Sequence, residues 1–322
     1  MTKKGASMPT QSHTQASAQM AARRLKPQAW RNGEPLADAN LDRALMYGDG
    51  FFTSLLLVEG RIANWAAHQA RLLQSQQRLG FPELNWVALF SDLKALVASR
   101  PPQALEVVKV LVTRGLGGRG YQPPEAARPV VYLQRLPFPD TQATSALMVD
   151  SKHWPLFELS LTVSPVEAAR QSQLAGLKHL NRLDNVLARQ ALADTDFDEA
   201  IMLDSAGAVI GATQANLVVL QNGRLLTPDL THSGVKGTCL QSLNTALAQA
   251  GLDTQVEEAS LTLQACLEAE SIFCCNGIRG IMPVKQFQTR DLATEPVQAI
   301  AQAWFNWQQG QLTDPQSLQV RQ

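Results

Sequence analysis

The stretch Leu174-Ala-Gly-Leu-Lys178-His-Leu-Asn-Arg182-Leu183 sets one lysine among apolar neighbours, and at Asn181 a helical pattern takes over (Leu183, Val186, Leu187, Gln190, Ala191). An apolar lead-in that feeds a helix belongs to an α/β chain, and it restricts where the lysine can go. Two placements are open. In the first, the stem packs while the ammonium reaches water. In the second, the amine is enclosed: apolar surroundings disfavour its charged form, lower its pKa from ~10.4, and make it a nucleophile able to form a Schiff base. Taken alone, these ten residues favour the first placement; only the rest of the chain can overturn it.

Length and charge narrow the setting. A chain of 322 residues exceeds one typical core and suggests two domains. Its charged residues are 17% and balance to a formal net charge of zero, so it offers no basic surface to nucleic acid and suits a small ligand better. No apolar run approaches the ~20 residues of a membrane span. The cysteines, Cys239, Cys266, Cys274 and Cys275, show neither CxxC nor metal-ligand spacing. Adjacent Cys274 and Cys275 point to opposite faces of a strand. They are expected to be reduced thiols in a cytoplasmic protein without a metal site.

In chain order, residues 1–27 are rich in Ser, Thr, Gln and Ala and contain no acid. They read as a disordered tail or as sequence ahead of a later start at Met8 or Met20, rather than as a transit peptide. A smaller α/β domain is expected over 28–137. It opens with a strand and the Asn32-Gly33 turn, followed by a buried strand at Phe51–Val58 closed by Glu59-Gly60. Helices follow at about Asn64–Leu79, with His68 and Arg71 one turn apart, and at Trp86–Ala98. Strands Ala104–Thr113 and Arg128–Leu136 flank Arg114-Gly-Leu-Gly-Gly-Arg119-Gly-Tyr121. That loop is either a binding element whose arginines hold carboxylates or a flexible hairpin tip. A linker is expected over 138–144 and a larger domain over 145–310, with a tail at 311–322. In the larger domain Gly237-Thr238-Cys239 opens a helix whose free N–H groups can form an anion site, although capping is the commoner reason for such a start.

Together these pieces resemble the fold-type IV pyridoxal-phosphate enzymes, which include branched-chain and D-amino-acid aminotransferases. Within them the chain is most similar to the 4-amino-4-deoxychorismate lyases. The resemblance rests on Gly48-Asp-Gly-Phe-Phe-Thr53-Ser54, the Arg114–Tyr121 loop, Lys178-His-Leu-Asn-Arg-Leu183 and Cys275-Asn276. It implies a two-domain α/β (α+β) fold, a homodimer, and pyridoxal 5'-phosphate as cofactor. It also implies that Lys178 is the Schiff-base lysine and proton carrier, and that Arg71 grips the cofactor phosphate with the N–H groups of Thr238 and Cys239. Asn276 would border the cofactor. Thr53, Arg114, Arg119 and Tyr121 would face a substrate with two carboxylates.

One position departs from the family. The glutamate that keeps the pyridine nitrogen protonated in relatives is Gly211 here, in a register set by Asn216-Leu217. Without it, transamination should suffer more than an elimination driven by aromatisation. Gly211→Glu should favour transamination, provided that the site tolerates a side chain. The expected function is a lyase releasing 4-aminobenzoate and pyruvate. The alternatives are an amino-acid aminotransferase and a non-catalytic binding protein with a degenerate site.

Overall fold

The computed structural model describes residues 29–32, 34–35, 41–118, 120–139, 143–149 and 152–319; the tail expected over 1–27 lies outside them. Strands β1 (Trp30–Arg31) and β2 (Glu34–Pro35) form the expected hairpin, with Asn32 at φ +52 in its turn. This hairpin falls within a unit of its own, residues 1–41, and Asp42–Gln322 form the other.

In the larger unit, a short helix α1 (Arg43–Tyr47) is capped by the Asp42 side chain and ends at Gly48, whose φ of +63 suits glycine. Strand β3 (Gly50–Val58) follows, then β4 (Arg61–Ala63), helices α2 (Trp65–Arg78) and α3 (Trp86–Ala98), and strands β5 (Leu105–Thr113) and β6 (Val130–Pro137). The run of apolar residues in β3 does not alternate because both of its faces are covered. Phe51, Leu55 and Leu57 pack with Trp65, Leu72, Phe90 and Leu93 of the helices, and Leu56 and Val58 join a separate core.

The second half begins with strands β7 (Ser145–Val149), β8 (Lys152–Leu156) and β9 (Leu159–Val163) and helix α4 (Leu183–Leu192). Strands β10 (Glu199–Leu203), β11 (Val209–Ala212), β12 (Asn216–Gln221) and β13 (Arg224–Pro228) lead to helix α5 (Thr238–Gln249). Strand β14 (Val256–Ala259), helix α6 (Leu263–Glu268), strands β15 (Ser271–Asn276), β16 (Gly280–Phe287) and β17 (Arg290–Asp291), helix α7 (Glu295–Gly310) and strand β18 (Leu312–Thr313) complete it. One sheet runs β18-β4-β3-β5-β6, and the larger runs β11-β10-β9-β16-β15-β12-β13-β14 with β17 on β16. The larger sheet is mixed: β9 lies parallel to both β10 and β16, and β13 parallel to β14. Its two faces carry separate cores, with Val218, Phe273 and Cys275 on one and Leu217, Ile272 and Cys274 on the other. The two adjacent cysteines therefore point apart, as strand geometry requires.

This is the mixed α/β fold expected from the sequence, with two larger sheets beside the two-stranded β1–β2 and β7–β8 pairs. The elements missing from the expectation are short ones: α1, α6, β4, β8, β11, β14 and β17. Strand β18 was expected as tail. It pairs with β4 through Leu312↔Ala63 and Thr313↔Ile62, so the chain returns to its first sheet after α7.

Candidate active site

The Lys178 segment is held from both sides by backbone. Phe52 N donates to Lys178 O at 2.9 Å and Leu180 N to Gly50 O at 3.0 Å, which continues the pairing of β3. Gly176 N donates to Gly234 O and Lys236 N to Gly176 O, both at 3.0 Å. The lysine is thereby fixed between the first sheet and the loop before α5, with Nζ 4.6 Å from the centroid of the Phe52 ring. It has the enclosed placement. Its pKa falls to about 7, first through burial and then through the charges of Arg71, Arg182 and Lys109. An appreciable fraction of the amine is uncharged at neutral pH.

Beside it stands an anion cradle. Helix α5 has Gly237 as N-cap and no side-chain cap, so the first-turn N–H groups, including those of Thr238 and Cys239, lack helical partners. Asn216 shapes the approach: its Nδ2 donates to Val235 O and its Oδ1 accepts from Gly237 N, both at 2.8 Å. Any side chain at 237 would collide with it, since a Cβ would lie 2.1 Å from Asn216 Oδ1. Arg71, buried on α2, donates to Lys236 O at 2.8 Å and to Thr53 Oγ1 at 3.4 Å. Burial lowers its pKa to about 10. Behind it, Thr53 Oγ1 lies 2.7 Å from His68 Nδ1, and burial followed by the charges of Arg71 and Lys178 lowers the pKa of His68 to about 3. His68 is therefore neutral and can share a hydrogen bond with Thr53 without adding another charge.

Lys178, Arg71, Gly237, Thr238 and Asn276 border one cavity of about 1090 Å³. Asn276 also braces a turn, its Oδ1 accepting from Ile278 N at 2.9 Å and Arg279 N at 2.8 Å. The Cys239 side chain is fully buried in the core below α5, so only its backbone belongs to the cradle. Thr53 is fully buried behind Arg71 and does not line the cavity.

The glycine-rich loop lies elsewhere. Arg114 is paired with Asp49 at 2.9 Å, donates to Leu79 O and Gly80 O, and stacks 4.0 Å from the Phe81 centroid. Arg43, which the sequence reading passed over, pairs with the same Asp49 at 2.8 Å and donates to Tyr121 O at 3.0 Å. Tyr121 is 86% exposed and packs edge-on against Tyr47. It borders a separate pocket of about 280 Å³ with Arg43, Arg114 and His179. Arg119 lies outside the described residues.

Gly211 has φ +130, and a Cβ there would lie 3.1 Å from Ala215 O. Its neighbours Ile210 and Ala212 border the cavity, where the only carboxylate among the described lining residues is Asp184, which accepts from Ala169 N at 3.1 Å. His68 and Asn216 were given no chemical role from sequence: His68 left only its one-turn spacing from Arg71 and Asn216 only a mark of register, whereas Gly237 already stood at the start of the anion-site helix.

With this geometry in hand, comparison with known proteins defines the class. Residues 50–287 match the profile of amino-transferase class IV, and the chain belongs to that family. It is 32% identical over 256 residues to an aminodeoxychorismate lyase of Vibrio harveyi, covering 79% of this chain and 89% of that one. The crystal structure of 4-amino-4-deoxychorismate lyase from Pseudomonas aeruginosa superposes with a TM-score of 0.68 at 32% identity, over 82% of this chain and 93% of that one. The branched-chain aminotransferase of Escherichia coli shares the fold, with a TM-score of 0.70 at 21% identity over 90% of this chain and 99% of that one.

Proposed function

We propose that this protein is a pyridoxal-phosphate-dependent lyase that converts 4-amino-4-deoxychorismate to 4-aminobenzoate and pyruvate. The observation that carries the reading is a near-neutral lysine amine facing a cavity that also holds an anion cradle, in a chain 32% identical to two lyases of this name. The residues present fit the cofactor. Arg71 and the N–H groups of Thr238 and Cys239 would hold its phosphate, Asn276 would border it, and the Lys178 amine would hold its aldehyde carbon. When bound, pyridoxal phosphate supplies that carbonyl carbon and an electron-withdrawing ring.

Released when the substrate's amine takes its place, Lys178 would then move protons. In its uncharged form it takes the proton from the substrate carbon that bears nitrogen, and it delivers one to the methylene carbon of the departing enolpyruvyl group. The bond between the ring carbon and the enolpyruvyl oxygen breaks, the ring becomes aromatic, and the atoms balance without water, oxidant or a second substrate. Gly211 leaves no acid at the position that relatives use beside the pyridine nitrogen. That favours an elimination drawn forward by aromatisation over transamination between amino and keto acids.

We read the protein as a cytoplasmic homodimer. Supporting a dimer, α4 exposes the one-sided apolar stripe Leu183, Val186 and Leu187, and Tyr121 is held outward. In that reading Tyr121 serves the substrate at the subunit boundary and Arg119 is kept as a substrate contact, whereas Thr53 stands behind Arg71 and Arg114 is spent on Asp49 and the carbonyls of Leu79 and Gly80. Among the described residues no helix is long and apolar enough to cross a membrane.

The test is to incubate the purified protein with 4-amino-4-deoxychorismate and no keto acid. Equal amounts of 4-aminobenzoate and pyruvate are expected, with light scattering giving a dimer. Brisk transamination without 4-aminobenzoate would replace the lyase with an aminotransferase. A yellow protein that does neither would be a binding protein.

A further inference from the structure

Arg71 is fastened differently from the other buried arginines. Arg43 and Arg114 share the Asp49 carboxylate. Arg71 has no carboxylate partner among the described residues, although it borders the cavity from a buried position on α2. Two of its N–H groups are placed by the protein, one on Lys236 O at 2.8 Å and one, over a longer 3.4 Å, on Thr53 Oγ1. An arginine held in this way keeps its whole charge. Its direction is set by the neutral pair behind it.

Thr53 and His68 form that pair, and the hydrogens decide how it is connected. A guanidinium only donates, so Thr53 Oγ1 accepts from Arg71. Thr53 is fully buried, and a buried hydroxyl hydrogen needs an acceptor of its own. Among the described residues that acceptor is His68 Nδ1, 2.7 Å away. His68 therefore accepts at Nδ1, and as a neutral imidazole it carries its hydrogen on Nε2. The ring is packed in place on its other side: a Cβ added at Gly277 would lie 3.7 Å from His68 Nε2 and 2.8 Å from Thr238 Oγ1, so His68 adjoins the start of α5. A carboxylate in place of this pair would also aim Arg71, but it would offset charge that a bound phosphate needs. A neutral chain aims the guanidinium without competing for it.

We propose that Thr53 and His68 are positioning residues for phosphate recognition: the relay from Arg71 N–H to Thr53 O–H to His68 Nδ1 aims the guanidinium at a phosphate bound before α5 and leaves its charge undivided. No proton travels along the relay, whose work is orientation. This deepens the cofactor reading and rests on it for the phosphate. It also moves Thr53 from the substrate side, where the family resemblance put it, to the cofactor side.

The experiment titrates the full-length chain, freed of cofactor by dialysis, with pyridoxal 5'-phosphate and separately with pyridoxal, which has the same ring and aldehyde but no phosphate. Absorbance of the bound ligand gives the two affinities. His68→Leu should weaken pyridoxal 5'-phosphate roughly 3- to 10-fold and leave pyridoxal within about twofold. His68→Asn, whose amide oxygen can stand where Nδ1 stood, should recover most of the loss. Introduced beside Arg71→Ala, His68→Leu should cost nothing further, because the relay then has nothing to aim. Thr53→Val breaks the same chain with little change of shape and should repeat the phosphate-selective loss, which probes the relay even where His68→Leu folds poorly. Equal weakening of both ligands would make these packing residues and overturn the proposal, as would parent-like affinity for pyridoxal 5'-phosphate in His68→Leu and Thr53→Val. A parent that binds the two ligands equally would remove the phosphate cradle itself, and the cofactor reading and the relay would fall together.

Discussion

Two groups of cations in this molecule are handled in opposite ways. Around Asp49, the buried Arg43 and Arg114 share one carboxylate, and their remaining N–H groups go to carbonyls of the glycine-rich loop and of the end of α2. Around the cavity, Lys178, Arg71 and Lys109 have no carboxylate partner among the described residues, and the amine at their centre is pushed toward its neutral form. The first group spends its charges on structure. The second keeps them for groups that arrive from solution. Cations of the same sign near one another are a fastening in one place and a reactive site in the other, and the difference lies in whether the protein itself supplies the anions.

The largest effect expected from this contrast is at Lys178. Lys178→Ala should lower 4-aminobenzoate release by at least about 10³-fold, and borohydride reduction of the parent should leave the pyridoxyl label on Lys178. A label on another lysine would move the site. The same amine should burden the cofactor-free fold. Its folded pKa of about 7 lies below the ordinary 10.5, so the unfolded chain binds the proton more tightly. Stability should therefore fall as pH drops from about 10.5 to about 7 and level off below. Lys178→Met should be the more stable protein by urea unfolding, by on the order of a few kcal/mol at pH 7 and by progressively less toward pH 10. An unchanging difference between those pH values would mean that the amine is solvated.

Asp49 should give the next largest effect, and on stability. Asp49→Asn leaves two buried guanidinium groups without their counter-charge, at a cost of about 3 to 5 kcal/mol in urea unfolding. A loss under 1 kcal/mol would show that the carbonyls alone fasten these arginines. Arg71 tests the other group more mildly. Arg71→Ala should weaken cofactor retention roughly 10- to 100-fold, measured by dialysis and absorbance, while the unfolding midpoint of the cofactor-free protein moves little. Equal cofactor content in variant and parent would take Arg71 out of the cradle.

The contrast also separates what could be read from the sequence from what could not. Lys178 could be singled out because its whole neighbourhood is contiguous: apolar lead-in, lysine, helix. The strands β3, β5, β12 and β15 were visible for a similar reason, as apolar runs between turns. The difference between Arg114 and Lys109 was not visible. Arg114 sits in a glycine-rich loop and looks free, but its partners, Leu79 O, Gly80 O and Asp49, come from other parts of the chain. Lys109 sits inside an apolar strand and looks incidental, but the fold sets it over the same ring as Lys178. Local pattern reports what a residue is; only the fold reports which anions reach it. The short elements β11, β14 and α6 were missed because so few residues carry too little periodicity.

The smallest expected effect concerns Gly211, where sequence and geometry pull in different directions. From the sequence, Gly211→Glu looked like a way to restore an acid and with it transamination, on the condition that a side chain fits. The backbone does not meet that condition. At φ +130 an L-residue is strained, and the new Cβ would press on Ala215 O at 3.1 Å, an oxygen already accepting from Ala212 N at 2.8 Å. Gly211→Ala isolates this strain from any charge, and it should lower stability by about 1 to 2 kcal/mol while leaving lyase turnover per bound cofactor within about twofold. Gly211→Glu carries the same strain plus a carboxylate to be desolvated, so it should be the less stable of the two and gain no transamination. If Gly211→Ala is instead as stable as the parent and Gly211→Glu transaminates, the backbone here relaxes readily. The missing acid would then reflect the glycine alone, and the cavity could take its one absent anion from the protein after all.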